Sequence, residues 1–173
     1  MKKIISLAVV TVMFISIFAG CTSTSKKEAL ITQFLNAHYT IDDPEKALED
    51  IARWDAKGDT DVLVNILKER FQTYFTDDGF LYLVASAWWL PLYVSAATLD
   101  QTVKPEKLLI EEVDKNQYQF SLIAVITDAK NAVVDEIPQN GKILLGKGGK
   151  IERFTIDNGK ALVSDKHSPP ANR

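Results

Sequence analysis

Apolar side chains recur at two different spacings along the 173-residue chain, and the spacing changes past its middle. Through the first half they fall three and four apart, which lines one face of an α-helix. Leu30, Ile31, Phe34, Leu35 and His38 predict a helix over 26–39. Ser25-Lys26-Lys27-Glu28 opens it with capping-box spacing, Ser at the cap and Glu three residues on. Asp43-Pro44-Glu45 opens a second helix, since Asp caps, Pro loses no needed donor at the first position, and acids suit the positive end of the dipole. Leu48, Ile51 and Ala52 give its apolar face, with Trp54 beside it, and Gly58 ends it. Leu63, Ile66, Leu67, Phe71 and Tyr74 predict a third helix over 60–75. Thr76-Asp77-Asp78-Gly79 then caps a short fourth one carrying Phe80, Leu83 and Val84 on one face.

In the second half the period falls to two. Residues 107–113 read as a strand and Asp114-Lys115-Asn116 as a turn. Residues 118–127 form the clearest strand, with Tyr118, Phe120, Leu122, Ala124 and Ile126 on one face and Ile123 and Val125 on the other. Further strands are expected at 132–137, 142–145 and 150–156, punctuated by Pro138-Gln139-Asn140-Gly141 and Gly146-Lys147-Gly148-Gly149 as hairpin turns. Helices first and consecutive short-turn strands after them predict an α+β fold: N-terminal helices on a curved antiparallel sheet of about four to five strands.

Between the halves lies Ala85 to Leu99, too short to span a bilayer and interrupted by Pro91. It is expected to supply core and rim of core. Read as strand- or loop-like backbone, it would point Trp88 and Trp89 in different directions, one buried and one at a rim. With Tyr93 and Tyr82 these tryptophans are the candidate ligand-binding residues, because Trp and Tyr pair a large apolar area with a polar tip.

The start of the chain carries a different signal. Lys2 and Lys3 precede an apolar run from Ile4 to Ala19, the order of a secretory signal. Phe18-Ala19-Gly20-Cys21 resembles the bacterial lipobox, with Phe where Leu, Val or Ile is usual. That resemblance implies a diacylglyceryl thioether on Cys21, cleavage before it and acylation of the new amino group. Cys21 is the only cysteine, so no intramolecular disulfide can form. The expected organisation is a signal peptide over 1–20, a tether over 21–26, one domain over 27–160 and a loose tail over 161–173. Removing the signal takes two lysines and no acid, moving the formal charge from −3 to −5. A mildly acidic domain argues against nucleic acid as a partner. The expected location is the extracytoplasmic face of the cell membrane. Lys26 and Lys27 fall either beside the headgroups or simply at the start of a solvated helix.

The helices around Leu30–Leu35 and Leu63–Tyr74, the Thr-Asp-Asp-Gly-Phe start and the closing Gly149-Lys150-Ile151-Glu152-Arg153-Phe154-Thr155-Ile156 together resemble the nuclear transport factor 2-like (cystatin-like cone) domains of many bacterial lipoproteins. That resemblance covers residues 27–157. It implies a long sheet wrapping helices with a pocket at the open end of a cone, in a family that hosts enzymes, ligand binders and scaffolds.

Candidate chemistry is sparse. A two-histidine dehydratase-like site is not expected, because only His38 and His167 exist and His167 falls in the expected tail. An isomerase-like site needs an acid with a tyrosine or second acid as oxyanion donor; Asp128, Glu111, Tyr82 and Tyr118 are the residues of the right type. Asp42-Asp43 and Asp77-Asp78 could hold calcium weakly but read first as helix caps, and no His cluster marks a metal site. Glycines 146, 148 and 149 lack the Lys-Ser or Lys-Thr and following helix of a phosphate loop. No cofactor, catalytic residue or metal ligand is therefore assigned. The expectation is a non-catalytic module binding a small apolar ligand or an envelope protein. The alternatives are a pocket enzyme of the isomerase or dehydratase kind, and a scaffold subunit of an envelope transfer or secretion complex.

Overall fold

A computed structural model describes residues 25–57, 60–88 and 90–157. The signal, Cys21, Gly58, Trp89, His167 and the expected tail fall outside the described residues. Five helices precede four strands: α1 (Lys26–Tyr39), α2 (Pro44–Lys57), α3 (Thr60–Phe71), α4 (Asp77–Ser86), α5 (Leu90–Thr98), then β1 (Thr102–Asp114), β2 (Gln117–Thr127), β3 (Val133–Leu145) and β4 (Ile151–Ile156). The strands form one antiparallel meander in the order β1-β2-β3-β4. The architecture is α+β.

Helix starts follow the caps. Ser25 and Glu28 close a reciprocal capping box, the Glu28 N–H donating to Ser25 Oγ at 3.1 Å and the Ser25 N–H to Glu28 Oε2 at 3.1 Å. Asp43 Oδ1 accepts the Lys46 N–H at 2.8 Å, and Thr76 Oγ1 the Gly79 N–H at 3.0 Å. The third helix stops at Phe71, earlier than the stripe suggests, and Gln72–Tyr74 tightens into a 3-10 turn. That turn carries Phe75 and Thr76 to the edge of β4, where the Thr76 N–H donates to the Ile151 carbonyl at 2.9 Å.

Two expectations are corrected. The stretch after Trp88 is a helix, α5, rather than strand or loop. Pro91 is tolerated in its first turn, where backbone N–H groups have no helical partner to lose. The second correction concerns Pro138-Gln139-Asn140-Gly141, which is no turn: β3 runs straight through it, paired residue for residue with β2 from Asp135 to Leu144. The two strands expected there are one, so the sheet has four. The extended backbone holds because Gln139 is fully buried inward and Phe120 lies against Gly141. Beyond Asn140 β4 no longer covers β3, so Pro138 sits where its missing N–H breaks no ladder on that side.

β1 also begins earlier than its alternation suggests. Lys107 takes a left-handed φ of 53° at a bulge between Glu106 and Leu109. The extra residue shifts the inward face from Val103 and Pro105 to Leu108 and Ile110. The core lies between helices and sheet: Tyr118, Phe120, Leu122, Ala124 and Ile126 all point into it, with Leu67 and Leu83 from the helices. Phe34 on α1 stands edge-on to Phe75 and Phe154 at 5.0 and 4.9 Å between ring centres, and Phe120 stacks on Phe154 at 5.8 Å. These rings fill the space between α1 and the sheet. Among the described residues no single helix is long and apolar enough to cross a membrane.

Candidate functional site

The charged cleft of the molecule is built by α2, α3, α5 and the chain leaving α1. Asp50 sits on the inner face of α2, one turn beyond the buried Ala47, and is 6% exposed. A carboxylate there must be matched by donors. The Tyr93 hydroxyl of α5 donates to Asp50 Oδ2 at 3.1 Å, and Arg53, one turn on, pairs with Asp50 Oδ1. Arg70, near the end of α3, donates to the carbonyls of Ala37 and Thr40 at 3.2 Å each. These are orphan acceptors at the negative end of α1, where a cation is favoured. The same guanidinium lies 5.0 Å from the centre of the Tyr93 ring and 5.3 Å from that of Phe71. Asp50, Tyr93 and Arg70 are thus fixed in a row on three helices.

The cleft has a volume of about 510 Å³, with Asp42, Asp43, Lys46 and Glu69 around Asp50, Arg53 and Arg70. Burial raises the Tyr93 hydroxyl above the ordinary tyrosine range, Arg70 opposing and Asp50 reinforcing the shift. The phenol therefore stays a proton donor to Asp50 at neutral pH. Both Asp50 oxygens accept hydrogen bonds, and no serine, cysteine or histidine lines the cleft among the described residues. The arrangement can recognise charge of either sign.

Of the sequence candidates among the described residues, the structure brings only Tyr93 into this cleft; Trp89 lies outside those residues. Tyr82 is 37% exposed on α4, its ring 5.3 Å from the Arg153 guanidinium of β4. Trp88 is half-buried in the turn before α5, its Nε1 buried without a hydrogen-bond partner among the described residues. The acid–tyrosine candidates for isomerase chemistry do not converge. Glu111 faces outward on β1, and Asp128 caps the β2–β3 turn by accepting the Lys130 and Ala132 N–H groups at 2.9 Å each. Tyr118 is buried at the other end of β2, its hydroxyl pushed up to about 12 by burial and by the Glu112 carboxylate. Lys27 turns back to the β1–β2 turn, donating to Asn116 Oδ1 at 2.8 Å, with Glu112 at 3.9 Å. Among the described residues no group of three or more His, Cys, Asp or Glu is placed to hold a metal.

His38 is a packing residue. It is 5% exposed, edge-on to Tyr39 and Phe154 at 4.7 and 4.9 Å, and its Nδ1 has no partner among the described residues. Burial, with Arg70 nearby, pushes its pKa down to about 3, so it stays neutral. The row of Asp50, Tyr93 and Arg70 escaped the sequence reading. Its one signal is Asp50 falling three residues after Ala47 on an otherwise apolar helix face.

No family model, characterised protein or solved structure matches the chain.

Proposed function

We propose that the chain is a cell-envelope lipoprotein, anchored through Cys21 at the extracytoplasmic face of the membrane, whose nuclear transport factor 2-like domain is a non-catalytic binding module. The observation that carries the binding role is the row Asp50–Tyr93–Arg70, fixed by hydrogen bonds at 3.1–3.2 Å beside a half-open cleft of about 510 Å³. Its ligand is charged, a peptide segment or small zwitterion, rather than apolar. The interior that would take an apolar ligand in a cone is occupied by Phe34, Phe75, Phe120 and Phe154. The anchor reading rests on Phe18-Ala19-Gly20-Cys21 and on a capped helix that begins at Lys26, directly past a short tether.

The test is a nitrogen-15 NMR titration of the full chain with acidic, basic and zwitterionic dipeptides. Shifts clustered on Lys46, Glu69, Arg70 and Tyr93, lost in Arg70→Met, are expected. Shifts from every dipeptide confined to residues outside the cleft would sink the assignment. A scaffold role is the second reading, favoured by the adjacent Leu81 and Tyr82 of α4, which are 65% and 37% exposed.

A further inference from the structure

β1 is an edge strand, and its two halves differ at that edge. On the first half the edge is closed. The Ile41 N–H donates to the Val103 carbonyl at 3.0 Å and the Val103 N–H to the Ile41 carbonyl at 2.8 Å. Pro105 has no N–H to offer, and the bulge at Lys107 interrupts the strand. Over residues 108–112 no bridge, proline or register shift recurs.

Val103 also fixes which backbone groups face outward. In an antiparallel ladder alternate residues bond to opposite sides. Val103 and Pro105 therefore face the edge, while Lys104 and Glu106 face β2. The extra residue of the bulge flips that parity. Leu108, Ile110 and Glu112 then face the edge, with Ile110 and Glu112 opposite Phe120 and Tyr118 as Val103 is opposite Ile126. Among the described residues no backbone hydrogen bond from these three leaves the sheet. Their N–H and C=O groups stand in a row about 14 Å long, which only another extended backbone matches.

The side chains say what that backbone should carry. Leu108 and Ile110 lie half-buried at the margin of the core, and Leu109 on the outer face is 69% exposed. Residues 106–114 hold Glu106, Glu111, Glu112 and Asp114 against Lys107, three negative charges net, of which Lys27 at 3.9 Å from Glu112 offsets one. Two copies of this edge would repel each other, so charge favours a basic partner over a second copy.

We propose that residues 108–112 take up an extended peptide as a fifth strand. Its apolar side chains lie against Leu108 and Ile110, and its basic ones on the outer face beside Glu111. This site is separate from the charged cleft.

Amide hydrogen exchange of the full chain, read by NMR, tests the proposal through its phase. The probe is a blocked heptapeptide of alternating Lys and Val at saturating concentration. Exchange should slow about tenfold or more at Leu108, Ile110 and Glu112, while Leu109 and Glu111, already bonded to β2, hardly change. The same peptide N-methylated at alternate residues cannot complete the ladder and should give no protection. A Glu-Val heptapeptide should protect far less. No slowing with the Lys-Val peptide overturns the proposal, as does equal slowing with the N-methylated or the acidic one. Protection that appears without peptide as the protein concentration rises would make a second copy the occupant and overturn it too.

Discussion

His38 shows what burial does to a single titratable residue. In the unfolded chain its imidazole takes a proton near pH 6.5; among Phe34, Tyr39, Phe71 and Phe154 it does so only near pH 3. Between these values the unfolded state binds the proton and the folded state does not, so stability rises with pH across that window and falls as the solution is acidified. Above pH 6.5 the effect vanishes. The slope from this group approaches roughly 1.4 kcal/mol per pH unit. Urea unfolding of wild type and His38→Leu between pH 7 and 4 should therefore diverge in slope, the variant losing less stability on acidification. Parallel curves would show that His38 titrates as if exposed. Tyr93 makes the complementary point at the cleft. Tyr93→Phe leaves the ring beneath Arg70 but takes the donor from a buried carboxylate, a loss of about 1–3 kcal/mol in the same assay.

At the scale of elements, the backbone of β1 and β3 carries the argument. Lys107 pays for its left-handed φ of 53° with roughly 1 kcal/mol that glycine would not incur. Lys107→Gly should thus stabilise the chain by about that amount, and a destabilised variant would mean that the bulge is not native. Gly141 is the reverse case. A Cβ there would meet the Thr155 carbonyl oxygen and come within 2.6 Å of the Phe120 ring. Gly141→Ala should cost roughly 1–3 kcal/mol or more in a thermal or urea melt. These two positions also mark where the sequence could and could not be read. Helix starts were legible because Ser25, Asp43 and Thr76 act on their own first turns, and the Tyr118–Ile126 alternation was legible because its period matches the pleat. Asn140-Gly141 misled because local turn chemistry was overridden by a distant aromatic ring and by pairing to β2. The bulge at Lys107 hid the start of β1 because it reverses the alternation within the strand. Asp50 was illegible as a site residue because its hydrogen-bond donor Tyr93 is 43 positions away, and Arg70, which lies over the Tyr93 ring, is 23 positions from that tyrosine, so only packing brings the three together.

At the scale of the whole molecule, the sheet has two ends and the anchor selects one. Both hairpin turns, at Asp114–Gln117 and Gly146–Lys150, lie at one end, joined by the Leu145 N–H donating to the Asn116 carbonyl at 2.9 Å. Lys27 bonds to Asn116, so the start of α1 lies at the same end. From Cys21 to Ser25 the chain extends at most about 14 Å. If Cys21 carries lipid, that end is held next to the bilayer, while the β2–β3 turn at Asn131 lies the length of β2 away, about 36 Å for 11 residues. The charged cleft begins where α1 ends, some 21 Å along its 14 residues, and would open toward the aqueous phase. Anchoring and orientation can be tested apart. Cys21→Ser should move the protein from the membrane to the soluble or uncleaved fraction; retention of an unmodified Cys21 in membrane-derived protein would remove the anchor from the picture. For the anchored protein reconstituted in vesicles, a dye on Lys115→Cys should transfer energy strongly to labelled headgroups and a dye on Asn131→Cys weakly. Equal transfer from both sites would mean that the domain lies on its side, with the cleft brought down toward the lipid and its ligand drawn from the bilayer surface instead.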